Sequence, residues 1–279
     1  TARALYIIYL IMTAITTIFL LFGGMNLFDS IIFAFGAAGT GGFANRGISV
    51  GYYDSRYIEI VLAIAMFLFG INFNLYYYAI IKSVRESFKS EELKWYAIIV
   101  LTASILIFIN ISALYADKFY SGVNAFFTVI SVITTTGYVS AHYGKWPMFS
   151  RNIIILLMFI GGSAGSTAGG LKVSRITMLC KSAVNQVKQT INPKRVTVNT
   201  LDGKRIDEEV EKSVNKYLVV YILLFVIFML IVTLDTNDLE TSFTAVATTF
   251  NNVGPGLGEF GPIESFANMG YLSKFTLTL

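Results

Sequence analysis

Charge is what this sequence has least of. Asp, Glu, Lys and Arg make up 14% of its 279 residues, against 55% hydrophobic. A soluble domain carries far more charge, so this composition argues against a water-soluble chain. There is one cysteine, Cys180, which excludes a disulfide within the chain. The formal net charge of +4 is small and needs no nucleic acid partner to explain it.

What is present is long apolar blocks. Residues 4–24, 95–116 and 217–234 contain no charged side chain, and residues 57–81 and 152–171 are nearly as apolar. Each block is about the length that crosses a bilayer as a helix. Helix is the expected form because lipid offers no partner to backbone N–H and C=O groups. The first block is not read as a signal peptide: it is too long, lacks a basic start, and four more blocks follow. The sequence therefore predicts an all-α membrane protein.

The basic residues are segregated. Arg3, Lys82, Arg85, Lys89, Lys94, Lys172, Arg175, Lys181, Lys188, Lys194, Arg195, Lys204, Arg205, Lys212 and Lys216 fall on one predicted side, 15 of the 21. The other six, Arg46, Arg56, Lys118, Lys145, Arg151 and Lys274, fall on the opposite side. The richer side is expected to be cytoplasmic.

Three stretches align without a gap: residues 26–43, 121–138 and 238–255. They open on Asn26, Ser121 and Asp238, residue types that cap helix N-termini. Ser30, Ala125 and Ser242 coincide, as do Ile31, Phe126 and Phe243, and each stretch closes near a glycine, Gly42, Gly137 or Gly254. A spanning block precedes each stretch and another follows it. The repeated unit is thus helix, half-helix of about ten residues, glycine-containing loop, helix. Between the second and third units, residues 192–213 hold two short β-prone runs around Asp202-Gly203, consistent with a hairpin or with a solvated connector.

A half-helix too short to cross must enter the membrane and return, and irregular backbone at that depth is tolerated when it is buried in protein or lines a water-filled cavity. The loops read Gly39-Thr40-Gly41-Gly42-Phe43, Thr134-Thr135-Thr136-Gly137-Tyr138 and Asn251-Asn252-Val253-Gly254-Pro255. Glycine permits backbone angles that let successive carbonyls point one way. Rings of such oxygens can replace the hydration shell of a cation, and the negative end of each half-helix dipole favours the same charge. The candidate ion-lining residues are Thr40, Gly41, Gly42 and Phe43, then Thr135, Thr136, Gly137 and Tyr138, then Asn252, Val253, Gly254 and Pro255, with the cation at Gly42, Gly137 and Gly254.

Thr-Thr-Thr-Gly-Tyr resembles the Thr-Val-Gly-Tyr-Gly filter of potassium channels, reduced to one glycine. One-glycine loops that differ between repeats of a single chain resemble those of the Trk/Ktr-type potassium uptake proteins. The stretches GTGGF, NNVGPG and GGSAGSTAGGLK are similar to that family too, and the resemblance spans nearly the whole chain. It implies four repeats of channel-like architecture around one pore, so this chain is expected to be a fragment holding repeats two to four: residues 1–83, 84–182 and, after a cytoplasmic connector at 183–216, residues 217–279, truncated in the closing helix. It implies potassium uptake across a prokaryotic plasma membrane, with potassium as substrate and no covalently bound cofactor. It also implies a homodimer with one pore per protomer and a cytoplasmic nucleotide-binding regulatory subunit. Residues 82–94 and 172–216 are the expected contact surfaces for that partner.

The Gly- and Ser-rich run at 161–170 interrupts an apolar helix, where glycine is unfavourable. In the family this position forms an intramembrane loop that blocks the pore, so Gly161, Gly162, Gly165, Gly169, Gly170 and the following Lys172 are expected to form a gate. The alternative is a close-packing surface of small residues. The run also contains Gly161-x-Ser163-x-Gly165, a nucleophile pattern. A serine hydrolase would need a general base beside the serine, and the lone histidine, His142, is predicted outside the membrane. Leu171 stands where a nucleotide loop requires Lys. A cation-coupled carrier is a further alternative, yet Asp29, Glu59, Asp117 and Asp238 lie near predicted helix ends, Glu59 a few residues inside its helix, where such a carrier has carboxylates midway. Asn72 and Asn74, read as mid-helix, are expected to bond between helices.

Overall fold

The computed structural model describes residues 2–81, 83–194, 198–236 and 238–278; Lys82 and Arg195, counted above among the cytoplasmic basic residues, lie outside them. The chain runs α1 (Ala2–Phe22), α2 (Leu27–Ala38), α3 (Arg56–Phe69), α4 (Phe73–Ile81), α5 (Val84–Ser87), α6 (Glu91–Ile111), α7 (Lys118–Ile133), α8 (Met148–Ile160), α9 (Val173–Ile191), the strands β1 (Thr200–Leu201) and β2 (Lys204–Arg205), then α10 (Glu208–Val232), α11 (Leu239–Phe250) and α12 (Tyr271–Thr278). The unit of long helix, half-helix, loop and returning helix occurs three times, starting at α1, α6 and α10.

Among the described residues three helices are long and apolar enough to cross a membrane, Arg3–Phe22, Glu91–Leu114 and Glu208–Val232; α3 and α4 together make a fourth, bent by 81°. Their outer faces carry exposed apolar side chains such as Ile11, Phe19, Leu101, Ile105, Leu223 and Leu230. The interior, by contrast, holds buried Asn124, Ser131, Thr134, Thr135, Thr136, Thr244, Thr248 and Asn251. An apolar outside, with polar groups set into a largely apolar core, is stable where lipid is the solvent and those groups find partners within the protein. Half-helix α7 sits deepest, with Phe127, Val129, Ile130 and Ile133 fully covered.

Capping explains where the half-helices start. Asn26 accepts from the amide of Asp29 at 2.8 Å, and Asp238 from that of Thr241 at 2.9 Å. The middle one differs from expectation. Its cap is Asp117, which accepts from Phe119 at 2.9 Å, so α7 begins almost a turn before Ser121. Ser121 lies buried within the helix, its hydroxyl unpartnered. The stronger acceptor upstream wins the cap, and an alignment by residue type does not see it.

Two other expectations are decided. The Asp202-Gly203 turn closes a hairpin with Thr200 opposite Arg205 and Leu201 opposite Lys204; both turn residues have positive φ, 51° and 74°, the geometry that dipeptide favours. Asn72 is not mid-helix. It lies in the break between α3 and α4, where its Oδ1 accepts from the amide of Asn74 at 3.0 Å and so caps α4. The exposed amides created by the break explain why a residue able to accept sits there.

Candidate functional site

The three loops share one backbone conformation. Thr40, Thr135 and Asn252, at equivalent positions, are left-handed with φ of 49°, 53° and 59°. Two residues on, Gly42, Gly137 and Gly254 are also at positive φ, 63°, 78° and 103°. Threonine is seldom found there, so the surroundings must hold it. They do so with the same bonds each time. The amides of Gly41, Thr136 and Val253 donate back to the carbonyls of Gly36, Ser131 and Thr248, at 2.9, 2.9 and 2.7 Å. Each loop is thereby folded over the last turn of its own half-helix.

The loops also stack on one another. A Cβ added to Gly42 would fall on the carbonyl oxygen of Thr136, and one added to Gly137 on that of Val253. A Cβ at Gly254 would meet nothing within 4 Å. Gly42, Gly137 and Gly254 thus follow one another in order, the first two each against a backbone oxygen of the next loop. Only glycine allows that approach.

Side chains brace the assembly. The buried Tyr138 stacks on Phe33 of α2 with ring centroids 5.1 Å apart, and its hydroxyl donates to the carbonyl of Phe33 at 2.9 Å. Ser131 donates to the carbonyl of Tyr138 at 2.7 Å, and the hydroxyls of Thr134 and Thr136 pair at 2.8 Å. Tyr221 of α10 donates to Asn251 at 2.7 Å. The residues after the first loop are fixed by Asp29, 1% exposed, which accepts from Arg46 at 2.8 Å, from Asn26 at 3.0 Å, and from Asn45 and Tyr53. Among the predicted residues that carry side chains, Phe43 and Asn252 are exposed.

Helix α8 ends at Ile160 and α9 starts at Val173, so the Gly-rich run is a loop, as its composition predicts. Gly161, Gly165, Gly170 and Lys172 have positive φ. The loop reaches the inner end of the re-entrant loops, where the amide of Gly169 donates to Thr135 Oγ1 at 2.6 Å and Gly169 packs on the carbonyl of Asn251. On another side it enters the α3–α4 break: the amide of Ser163 donates to Gly70 O at 3.0 Å, and that of Phe73 to Gly165 O at 3.1 Å. The Lys172 ammonium donates to the carbonyl of Ala168. Gly170, Tyr221, Phe250 and Asn251 line a small cavity of about 160 Å³ beside it. Two residues not expected at this loop hold it, and one of them, Asn72, is expected from the sequence only to bond between helices. Asn72 Oδ1 lies against Gly165, and the buried Glu92 accepts from the amides of Ala164 at 2.7 Å and Ser174 at 3.1 Å. A glutamate at the start of a spanning helix reads locally as a favourable first-turn charge, and only the tertiary fold shows its distant partners.

The geometry does not support the hydrolase pattern at Ser163. Its hydroxyl is buried with no hydrogen-bond partner, so no base stands beside it. His142 lies in the loop after α7, beside Gly144 and Gly261, and burial and Lys145 push its pKa below the usual value.

Repeated half-helices with stacked glycine loops inside an apolar shell have the build of a membrane protein with channel-like re-entrant loops. A family model described as a cation transport protein, TrkH, matches residues 1–279, and the chain belongs to that family. The family is one of transporters and not of enzymes. The chain is 31% identical to the Trk system potassium uptake protein TrkH of Escherichia coli K12, over 99% of this chain and 58% of that protein. It is 30% identical to TrkG of the same strain, over 96% of this chain and 56% of the relative. The crystal structure of the potassium transporter TrkH from Vibrio parahaemolyticus superposes with a TM-score of 0.90 at 29% identity, covering 99% of this chain and 60% of that one. The chain thus spans about three fifths of the length of these relatives.

Proposed function

We propose that this chain supplies three loops of a potassium-selective pore in a prokaryotic plasma membrane, and that residues 161–172 gate it. The observation that carries this is the common conformation of the three loops together with their stacking, Gly42 on Thr136 and Gly137 on Val253. Backbone fixed so closely in three related copies suits carbonyl coordination of a dehydrated cation. The names of the relatives, potassium uptake proteins, supply the ion. In this reading Thr40 to Phe43, Thr135 to Tyr138 and Asn252 to Pro255 line the ion path, and a fourth loop from the rest of the protein completes the ring beside Gly254. Residues 1–83, 84–182 and 217–279 are the three repeats, and 183–216 is a cytoplasmic connector.

The test is potassium and sodium flux by the full-length protein in liposomes, with Gly137→Ser and Gly254→Ser. Lost potassium preference with retained insertion supports the filter; unchanged preference in both removes it. The partner proposals are a homodimer and a nucleotide-binding regulatory subunit docking on 82–94 and 172–216. Cross-linking and size measurements of the full-length protein, with and without that subunit, test them.

One observation favours a cation-coupled carrier instead: Glu59 Oε2 is buried without a partner in the first turn of α3. Glu59→Gln separates the readings. A pore keeps its flux, whereas a carrier that uses this carboxylate loses its dependence on sodium or protons.

A further inference from the structure

Neighbouring glutamates in the first turn of α6 hold different parts of the molecule. Glu92 is buried and accepts from Ala164 at 2.7 Å, inside the intramembrane loop, and from Ser174 at 3.1 Å, in the first turn of α9. It therefore bridges the loop to the helix that follows it, with charge-assisted bonds, the stronger kind. Glu91 faces the β1–β2 hairpin. Its amide donates to Asp202 Oδ1 at 2.5 Å, and its carboxylate accepts from the amide of Asp202 at 3.4 Å and pairs with Lys181 of α9. Lys181 also donates to the carbonyl of Thr200 at 2.8 Å. The hairpin, α9 and the first turn of α6 thus form one bonded cluster. One backbone step separates its hairpin end from its loop end.

We propose that Glu92 is a positioning residue for the intramembrane loop and that the Glu91–Glu92 pair couples the loop to the hairpin, so that displacing the hairpin loosens the loop. The coupling depends on rigidity. Residues 91 and 92 share a helical turn, and a rotation or shift that breaks the Asp202 and Lys181 contacts must move the Glu92 carboxylate away from the two amides. The hairpin is short and its strand residues are exposed or half-buried, so an outside force can move it at little cost in buried surface. The functional consequence rests on the gate reading above.

The experiment follows backbone hydrogen exchange and potassium flux together, in the full-length protein reconstituted in liposomes. Glu92→Ala should speed exchange at Ala164 and Ser174 by roughly tenfold or more, the factor expected when a hydrogen bond to a charged group is lost. Glu92→Gln, which retains an acceptor oxygen, should restore part of the protection. Glu91→Ala, or Asp202→Ala should α6 tolerate no change, should speed exchange in the hairpin and also at Ala164 and Ser174. Glu91→Lys combined with Lys181→Glu rebuilds the ion pair but not the bonds to the Asp202 amide and the Thr200 carbonyl, and should return both regions part of the way to slow exchange. Faster hairpin exchange with Ala164 and Ser174 unchanged overturns the coupling, whatever the flux. Faster exchange at both with unaltered flux supports the coupling and counts against the gate reading alone.

Discussion

The amide of Gly169 donates to the hydroxyl of Thr135 at 2.6 Å. One bond therefore joins the intramembrane loop to the left-handed residue of the second re-entrant loop, and a single hydroxyl serves both proposed gate and proposed filter. Thr135→Val keeps the shape and removes the acceptor. The stranded amide should cost about 1–3 kcal/mol in loop docking, which favours the undocked loop and raises potassium flux. Thr135→Ser, which keeps an acceptor, should behave as the parent does. Equal flux from the two variants in liposomes would show that the bond does not hold the loop.

Alanine at the three loop glycines should give unequal results. All three have positive φ, so each substitution carries backbone strain of roughly 1–2 kcal/mol. Gly42 and Gly137 add a collision with the Thr136 and Val253 carbonyls, whereas Gly254 has open space. Gly42→Ala and Gly137→Ala should therefore disturb two loops each and depress selectivity more than Gly254→Ala. Potassium-to-sodium flux ratios for the three variants check the order.

Asp29 offers a stability test apart from transport. It is buried beneath Arg46, Asn45, Asn26 and Tyr53, but the Arg46 side chain is one-third exposed. Asp29→Ala removes the acceptor that these four side chains share and should lower the unfolding temperature. Arg46→Ala should cost less, because three neutral donors remain on the carboxylate. Thermal unfolding in detergent distinguishes the two.

Much of this architecture was legible in the sequence because its signals are local. Charge-free blocks mark the long helices, and Gly42, Gly137 and Gly254 mark three loops that share one pattern of positive φ. The Asp202-Gly203 turn signal is local too, but it leaves a hairpin and a solvated connector open, and the strand pairing decides for the hairpin. What escaped depends on contacts across the fold. Asp117 and Ser121 are both capping types, and only the helix shows which caps. Asn72 lies in a stretch apolar enough to read as one span, and it is the docked loop at Gly165 and Ser163 that occupies the break. Glu92 holds residues 72 and 82 positions away, a spacing that no periodicity carries.

Topology can be read from single cysteines. In a background with Cys180 replaced, cysteine at position 144, after the second loop, should react with an impermeant reagent on intact cells. Cysteine at position 200, on the hairpin, should react once the membrane is opened. The basic-residue count puts the hairpin in the cytoplasm. The reverse pattern would invert the assignment and place the intramembrane loop on the outer side of the proposed filter.

Removing residues 162–169 tests the gate most directly, and the structure shows why the deletion can close. A Cβ placed on Gly170 would lie 2.7 Å from Gly161 Cα, so the two α-carbons are already about as close as residues joined by a peptide bond, ~3.8 Å. Both are glycines at positive φ and can absorb the altered angles. The deletion removes the amides that bond Gly70, Glu92 and Thr135, together with the Gly165 carbonyl that binds Phe73. It leaves Tyr138 on Phe33 and the loop-to-carbonyl stacking of Gly42 and Gly137 in place. Helices α8 and α9 should stay joined, the filter should keep its shape, and the path beneath Thr135 and Asn251 should open. The expected outcome in liposomes is faster potassium flux at unchanged preference over sodium. A stably inserted deletion protein that conducts no faster than the parent would make this run a packing surface instead of a gate.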